Sequence, residues 1–306
     1  MKRSALLFAA ALVIGGCLPP PPAAPAPEMP TLEAEIRSVI ARAAGDTAEV
    51  SVALRDLATG DSLLVDAHTV MHAASTMKVP VMLELFRRAE AGELSLDDSV
   101  AIRNEFRSIA DGSTYALSPA DDSDSTLYAR VGGRATTREL IGLMITRSSN
   151  LATNLLIDAA DPRRIERTMA SLGAGEVKVL RGVEDGPAFR AGMNNTTTAY
   201  GLMRVMEAVA TGRASSERSS HEMMEILARQ EFTDMIPAGV PPGTRVASKT
   251  GNITRIQHDA AIVVPPNRPP YVLVVLTRGF ADAGAAKAAG REISRAVYRH
   301  LSQTSR

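Results

Sequence analysis

Strand-like segments fall in two groups near opposite ends of this chain, with helical patterns filling the middle. On the N-terminal side, Val50-Ser51-Val52-Ala53-Leu54 and Ser62-Leu63-Leu64-Val65 are joined by Ala58-Thr59-Gly60-Asp61, a hairpin signal. On the C-terminal side, strands are predicted over Arg245 to Lys249, Ala260 to Val264 and Val272 to Leu276. A helical pattern from about Thr31 to Ala44 precedes the first group, and another from about Ala285 to Leu301 follows the second. Such distant strands share a core by pairing in one antiparallel sheet, covered by the terminal helices and set beside an all-helical lobe. The expected fold class is α/β of the α+β type, with a cleft between the lobes.

Three short elements carry the chemistry: Ser75-Thr76-Met77-Lys78, Ser148-Ser149-Asn150 and Lys249-Thr250-Gly251. Ser75 is expected to open a helix, because the apolar run Val79 to Phe86 continues towards Gly92, a C-cap residue, and Pro80 is tolerated only in a first turn. Lys78 then shares a face with Ser75. A lysine whose pKa is lowered by burial and nearby cations can take the proton of a serine hydroxyl and so activate it. The free N–H groups at the helix start make the Ser75 amide a natural half of an oxyanion hole. Thr136-Thr137-Arg138-Glu139 reads as a capping box opening an apolar-periodic helix through Ile145, and Ser148-Ser149-Asn150 follows where that helix should end. Lys249-Thr250-Gly251 belongs to an expected edge strand lining the cleft. There Lys and Thr can hold a substrate carboxylate, and Gly lets the substrate backbone approach. Together the three elements read as a serine acyltransferase.

In order and context these elements resemble the penicillin-recognising serine enzymes, and among them the class A β-lactamases, whose signature is S-x-x-K, S-D-N and K-T-G. The flanking stretches "MHAASTMKVPVMLELF", "ELIGLMITRSSNLATNLLI" and "ASKTGNITRIQHDAAIV" are similar too, and the resemblance spans roughly residues 31 to 304. It implies a β-lactamase/transpeptidase-like fold, with Ser75 as acylated nucleophile, Lys78 as its base and Ser148 as proton relay to the leaving nitrogen. Asn150 would bind the acyl-amide side chain of the substrate, Lys249 and Thr250 its carboxylate, and the backbone amides of Ser75 and Asn252 would form the oxyanion hole. A class A enzyme also needs a carboxylate to activate the deacylating water. Glu184, 34 positions beyond Asn150, is the expected base, with Asp185 as an outside candidate and Asn194-Asn195-Thr196-Thr197-Thr198 closing the loop.

Three departures stand out. Ala188 occupies the place of the expected Asn. Ser149 replaces the Asp of S-D-N, giving the looser S-x-N of penicillin-binding proteins. The stretch from Arg107 to Gly133 is longer than the usual connection, and either Tyr115 or Tyr128 is a candidate aromatic wall for the cleft or a packed loop anchor. The expected activity is hydrolysis of a small-molecule β-lactam. A penicillin-binding or D-Ala-D-Ala peptidase-like enzyme, an esterase-type hydrolase and a non-catalytic envelope-binding lipoprotein remain open beside it.

Export is read from the N-terminus. Met1-Lys2-Arg3 is a basic region, Ala5 to Ile14 is apolar but too short to span a bilayer, and Ile14-Gly15-Gly16-Cys17 resembles a lipobox. The expected organisation is a signal peptide over 1–16, lipidated Cys17 with a proline-rich tether over 17–30, and a catalytic domain over 31–306. It predicts a bacterial envelope protein facing the periplasm, touching the membrane only through the anchor on Cys17. This is the only cysteine, so no internal disulfide is available. With 34 basic and 34 acidic residues and no basic stripe, nucleic-acid partners are not expected. No cofactor is implied, and the sequence leaves the oligomeric state open.

Other apparent signals are weak. His221-Glu222-Met223-Met224-Glu225 lacks the second His of a zincin helix, and His68 and His72 have no third ligand near in sequence, so no metal site is expected. His258, Asp259 and Arg255 are candidates to touch the substrate carboxylate or to serve the strand structurally. Met203, Met206, Met223 and Met224 are expected to fill core.

Overall fold

The computed structural model describes residues 31–45 and 47–303; the export signal, the tether and Cys17 lie outside the described residues. Thr31 caps α1 (Leu32–Ala44), its hydroxyl accepting the Ala34 N–H at 3.2 Å. The hairpin β1 (Glu49–Asp56) and β2 (Ser62–Val65) follows, then short β3 (Met71–His72). A 3-10 turn over Ala74–Met77 leads into α2 (Lys78–Glu90), which ends with Ala91 as C-cap and Gly92 beyond it at φ +71°. The connection carries β4 (Ser99–Ala101), β5 (Phe106–Arg107), β6 (Thr114–Tyr115) and β7 (Arg134–Thr136). Next come α3 (Thr137–Thr146), α4 (Asn150–Ala160), α5 (Pro162–Ser171), α6 (Gly186–Arg190), β8 (Thr196–Thr197), α7 (Ala199–Ala210) and α8 (Glu217–Leu227). The chain closes with β9 (Arg245–Ile253), β10 (Ile256–Val264), β11 (Tyr271–Arg278) and α9 (Ala283–Gln303).

The distant strand groups meet in one antiparallel sheet of order β2-β1-β11-β10-β9. The join is β1 to β11, in register from Glu49↔Arg278 to Asp56↔Tyr271. Side chains alternate across a strand, so each strand feeds two cores. Leu273 and Val275 face Ile36 of α1 and Ile293 and Val297 of α9, whereas Val272, Val274 and Leu276 join the core of the helical lobe with Met82, Phe86 and Leu140. Burial of each such side chain contributes roughly 1.5–3 kcal/mol. Both sheet faces are therefore covered, and the fold is the expected β-lactamase/transpeptidase-like one.

Lys249-Thr250-Gly251 lies on the edge strand as expected, but two local boundaries shift. The strand runs on past Lys249 to Ile253, because Gly251 and Asn252 pair with His258 and Gln257 of β10. Ser75 sits in the 3-10 turn and the α-helix starts at Lys78, whose N–H reaches Ser75 O and Thr76 O. Met203, Met206 and Met223 are buried in the lobe core. Among the described residues no helix is long and apolar enough to cross a membrane.

Candidate active site

The turn holding Ser75 has an unusual backbone. Ala74 adopts φ +46°, a region non-glycine residues seldom enter, and its N–H donates to His72 Nδ1 at 3.0 Å. The edge strand passes directly against this turn at Gly251, where a Cβ would lie 3.0 Å from Thr76 Cγ2 and 3.2 Å from both Ala73 O and Ser75 N. Glycine is what permits that approach. Ser75 is half-buried, and its hydroxyl makes no side-chain hydrogen bond among the described residues.

Beside it lie two buried amines. Lys78 Nζ donates to Ser148 O at 2.7 Å, to Ser148 Oγ at 3.2 Å and to Asn150 Oδ1 at 2.9 Å. Lys249 Nζ donates to Ser148 Oγ at 3.0 Å and to Thr250 O at 3.0 Å. Ser148, itself at φ +57°, thus places one hydroxyl between both amines. Burial brings the Lys78 amine down to about 7, with Asp122 and Glu184 pulling the other way. The Lys249 amine is pushed well below its usual range by burial and then by Lys78, against the pull of Asp259. Two buried cations sharing one hydroxyl disfavour joint protonation, so a free amine is accessible near neutrality.

The opposite side of the cleft is a loop whose neck is closed by the Lys178–Thr196 backbone pair, at 2.8 and 3.0 Å. Asn195 Oδ1 accepts the Leu180 and Arg181 N–H groups at 2.8 and 3.1 Å, and its Nδ2 donates to Arg181 O at 2.9 Å. Buried Arg181 donates to Met193 O, Gly182 O and Asn194 Oδ1. From α4, Asn154 clasps Val183 at both backbone groups, accepting its N–H at 2.7 Å and donating to its O at 3.0 Å. A Cβ on Gly182 would stand 2.5 Å from Asn154 Oδ1. Held this way, Glu184, at φ +60°, accepts from Asn150 Nδ2 at 2.9 Å. Partial shelter from water, with Asp122 and Asp121 close, moves its carboxyl above the usual 4.5, against the lowering effect of the Asn150 bond. Asn150 accordingly turns its oxygen to Lys78 and its amide nitrogen to Glu184, joining the two.

The remaining candidates occupy structural positions. Asp185 is buried: Oδ1 accepts from Ser108 Oγ at 2.7 Å and Ala188 N–H at 3.0 Å, and Oδ2 from Ile109 N–H at 3.0 Å. It caps α6 and ties the loop to the long connection, a structural role that engages both oxygens. His258 is fully buried, with Nδ1 accepting Thr277 N–H and Nε2 donating to His72 O, and burial brings its ring to about 4. Asp259 is fully buried beneath the sheet edge, where desolvation raises its carboxyl to about 7 and Oδ2 accepts Ile236 N–H. Arg255, at the β9–β10 turn, donates to Gly279 O. Tyr115 and Tyr128 are loop anchors: the first packs its ring 5.9 Å from Phe106, and the second donates to Asp122 at 3.0 Å.

Other residues of the site carry no signal in the sequence. Asp122 reaches the start of α4, accepting the Asn150 and Leu151 N–H groups at 2.9 Å, while Ser149 Oγ caps the same helix through Ala152 N–H at 3.3 Å. A cavity of about 400 Å³ is lined by Ser75, Asn150, Glu184 and Asn252, with Phe189 and Ile253 adding apolar wall; Phe189 is 57% exposed. Lys78, Ser148, Lys249 and Thr250 are buried.

A five-stranded sheet backed by two terminal helices, with a helical lobe across a cleft, is the architecture shared by β-lactamases and penicillin-binding proteins. The chain belongs to the Beta-lactamase enzyme family, whose sequence profile matches residues 31–301. It is 25% identical to a β-lactamase of Streptomyces lavendulae over 76% of this chain and 74% of that relative. Among solved structures, a β-lactamase from Sphaerobacter thermophilus is 27% identical with a TM-score of 0.76, covering 88% of this chain and 97% of that one. The fold also matches that of PBP-A, at a TM-score of 0.75 and 24% identity, over 89% of this chain and 96% of that one.

Proposed function

We propose that the protein is a serine β-lactam hydrolase of class A type, working through an acyl-enzyme on Ser75. The observation that carries this reading is the Asn150 amide joining a lysine of lowered pKa to a carboxylate of raised pKa across the cavity. The Lys78 amine takes the proton of Ser75 Oγ, which attacks the lactam carbonyl, and the amides of Ser75 and Asn252 receive the oxyanion. Ser148 Oγ, between the two amines, delivers a proton to the lactam nitrogen as the C–N bond breaks. Lys249 and Thr250 hold the substrate carboxylate, and Asn150 its acyl amide. Glu184 then takes a proton from water as it attacks the ester carbonyl, and Ser75 leaves with its hydroxyl restored.

Ala188 is buried and offers no amide to that water, so deacylation is the expected slow step. The same residue favours a second reading, a penicillin-binding enzyme whose acyl-enzyme persists. Time-resolved intact mass spectrometry with benzylpenicillin separates them: a transient adduct with hydrolysed drug supports the hydrolase, a stable adduct supports the second reading, and Ser75→Ala must lose both. Absence of adduct and product in the wild type overturns the β-lactam assignment.

We further propose removal of residues 1–16, lipidation of Cys17, a tether to residue 30 and a periplasm-facing domain over 31–306. These rest on the basic, apolar and lipobox-like order of the first 17 residues. Metabolic labelling with palmitate tests this, and equal incorporation into Cys17→Ser would sink it.

A further inference from the structure

His72 lines the cavity beside Ser75 and has no part in the chemistry above. Its backbone is fixed from two sides. It pairs with Thr196 of β8, and its carbonyl accepts His258 Nε2–H at 3.0 Å, while His258 Nδ1 accepts Thr277 N–H of β11 at 3.1 Å. Next in the chain, Ala73 N–H donates to Asn195 O at 2.9 Å. With both flanks anchored, the ring lone pair of His72 is what meets the N–H of Ala74, the residue held at φ +46° immediately before the nucleophile. That bond fixes the tautomer: Nδ1 accepts, so the neutral ring carries its hydrogen on Nε2.

We propose that His72 is a positioning residue for acylation: its neutral imidazole, accepting Ala74 N–H at Nδ1, holds the strained turn that aims the Ser75 amide and hydroxyl. This rests on Ser75 being the acylated nucleophile. Adding a proton to Nδ1 sets N–H against N–H, and Ala74 loses its acceptor, leaving the turn with the Thr76 hydroxyl bond to Ala73 O at 2.6 Å. The charged and titratable groups acting on the ring are Arg181 from the loop and His258 from β10, and Asp121, Glu184 and Asp185 line the same cavity. Burial first, and Arg181 second, keep the ring below the usual histidine range, so the accepting form prevails at neutral pH.

The test measures, in the full protein, the rate at which Ser75 is labelled by a fluorophosphonate, a serine-directed probe that needs no lactam recognition, and in parallel the rate of acylation by benzylpenicillin. His72→Leu is expected to slow both roughly 10–100-fold, the scale of a 1 Å misplacement. His72→Asn, whose Oδ1 stands where Nδ1 stood, stays close to wild type. On acidification the wild-type rate falls more steeply than that of His72→Asn, because two proton-linked groups rather than one are lost. A two-bond 1H–15N spectrum of the wild type shows an unprotonated Nδ1, whatever the variants do. Wild-type rates in His72→Leu, equal slowing in folded Leu and Asn variants, or an Nδ1–H tautomer each overturn the proposal. If the phosphonate behaves as expected but benzylpenicillin gives neither adduct nor product, the β-lactam reading fails and the role of His72 stands.

Discussion

The two walls of the cleft are held by different forces. On one, Ser75, Lys78 and Lys249 ride on a helix start and a strand pressed together at Gly251, with both amines buried under regular backbone structure. On the other, Glu184 hangs from a loop shaped by the side-chain amides of Asn154 and Asn195 and the guanidinium of Arg181. Each such hydrogen bond contributes about 1 kcal/mol net, so the loop is set by a handful of small terms where the other wall is set by the core. Under the proposed mechanism, acylation geometry is thereby part of the fold, and deacylation geometry can drift without unfolding it.

Substitutions on the two walls should therefore fail differently. Ser75→Ala is expected to remove the adduct and to cut turnover by about 10⁴-fold or more, read by mass spectrometry and drug hydrolysis. Glu184→Gln should still acylate but lower kcat by roughly 10²–10⁴-fold, with the adduct accumulating; if the adduct is lost instead, the two walls are not separable. The pH profile sharpens the contrast. A base must be unprotonated, so acylation should fall as pH drops through about 7, where Lys78 takes a proton. Deacylation should fall as Glu184 protonates, above its usual 4.5, in a titration separate from that of Lys78. Single-turnover and steady-state profiles that coincide would contradict this. Gly182→Ala, whose Cβ meets Asn154 Oδ1 at 2.5 Å, should slow deacylation by roughly 10-fold and spare acylation, which stopped-flow measurement checks. The smallest effect is expected for Asp122→Ala, which uncaps α4 and should cost about 1 kcal/mol in denaturant unfolding.

The difference between the walls also governs what could be read from the sequence. Ser75, Lys78, Ser148 and Lys249 announce themselves because short local patterns place them on a helix face, a helix end and a strand. Asn154, Asp122 and the His72–Ala74 contact are invisible there, since each acts through a partner whose position only the folded chain defines. The strand expected to end at Lys249 runs on, because pairing with β10 carries β9 to Ile253. His258 and Asp259 stayed open between substrate contact and a structural role for a related reason: helices cover both sheet faces, so alternation marks no exposed side in the sequence. Phe189, rather than either tyrosine, supplies the aromatic wall, from the five-residue α6 that Asp185 caps.

The pairing of Glu49 with Arg278 has a consequence for the order of events at the ribosome. β1 is made early, whereas β11, the central strand it pairs with, follows about 200 residues later. Through most of synthesis β1 and β2 form an isolated hairpin, which is marginal by itself. Closing so large a loop is slow, because the entropy of bringing the ends together is lost before any contact repays it. The chain thus remains without its sheet, and Ser75 without Lys249 beside it, until almost the whole length has been produced.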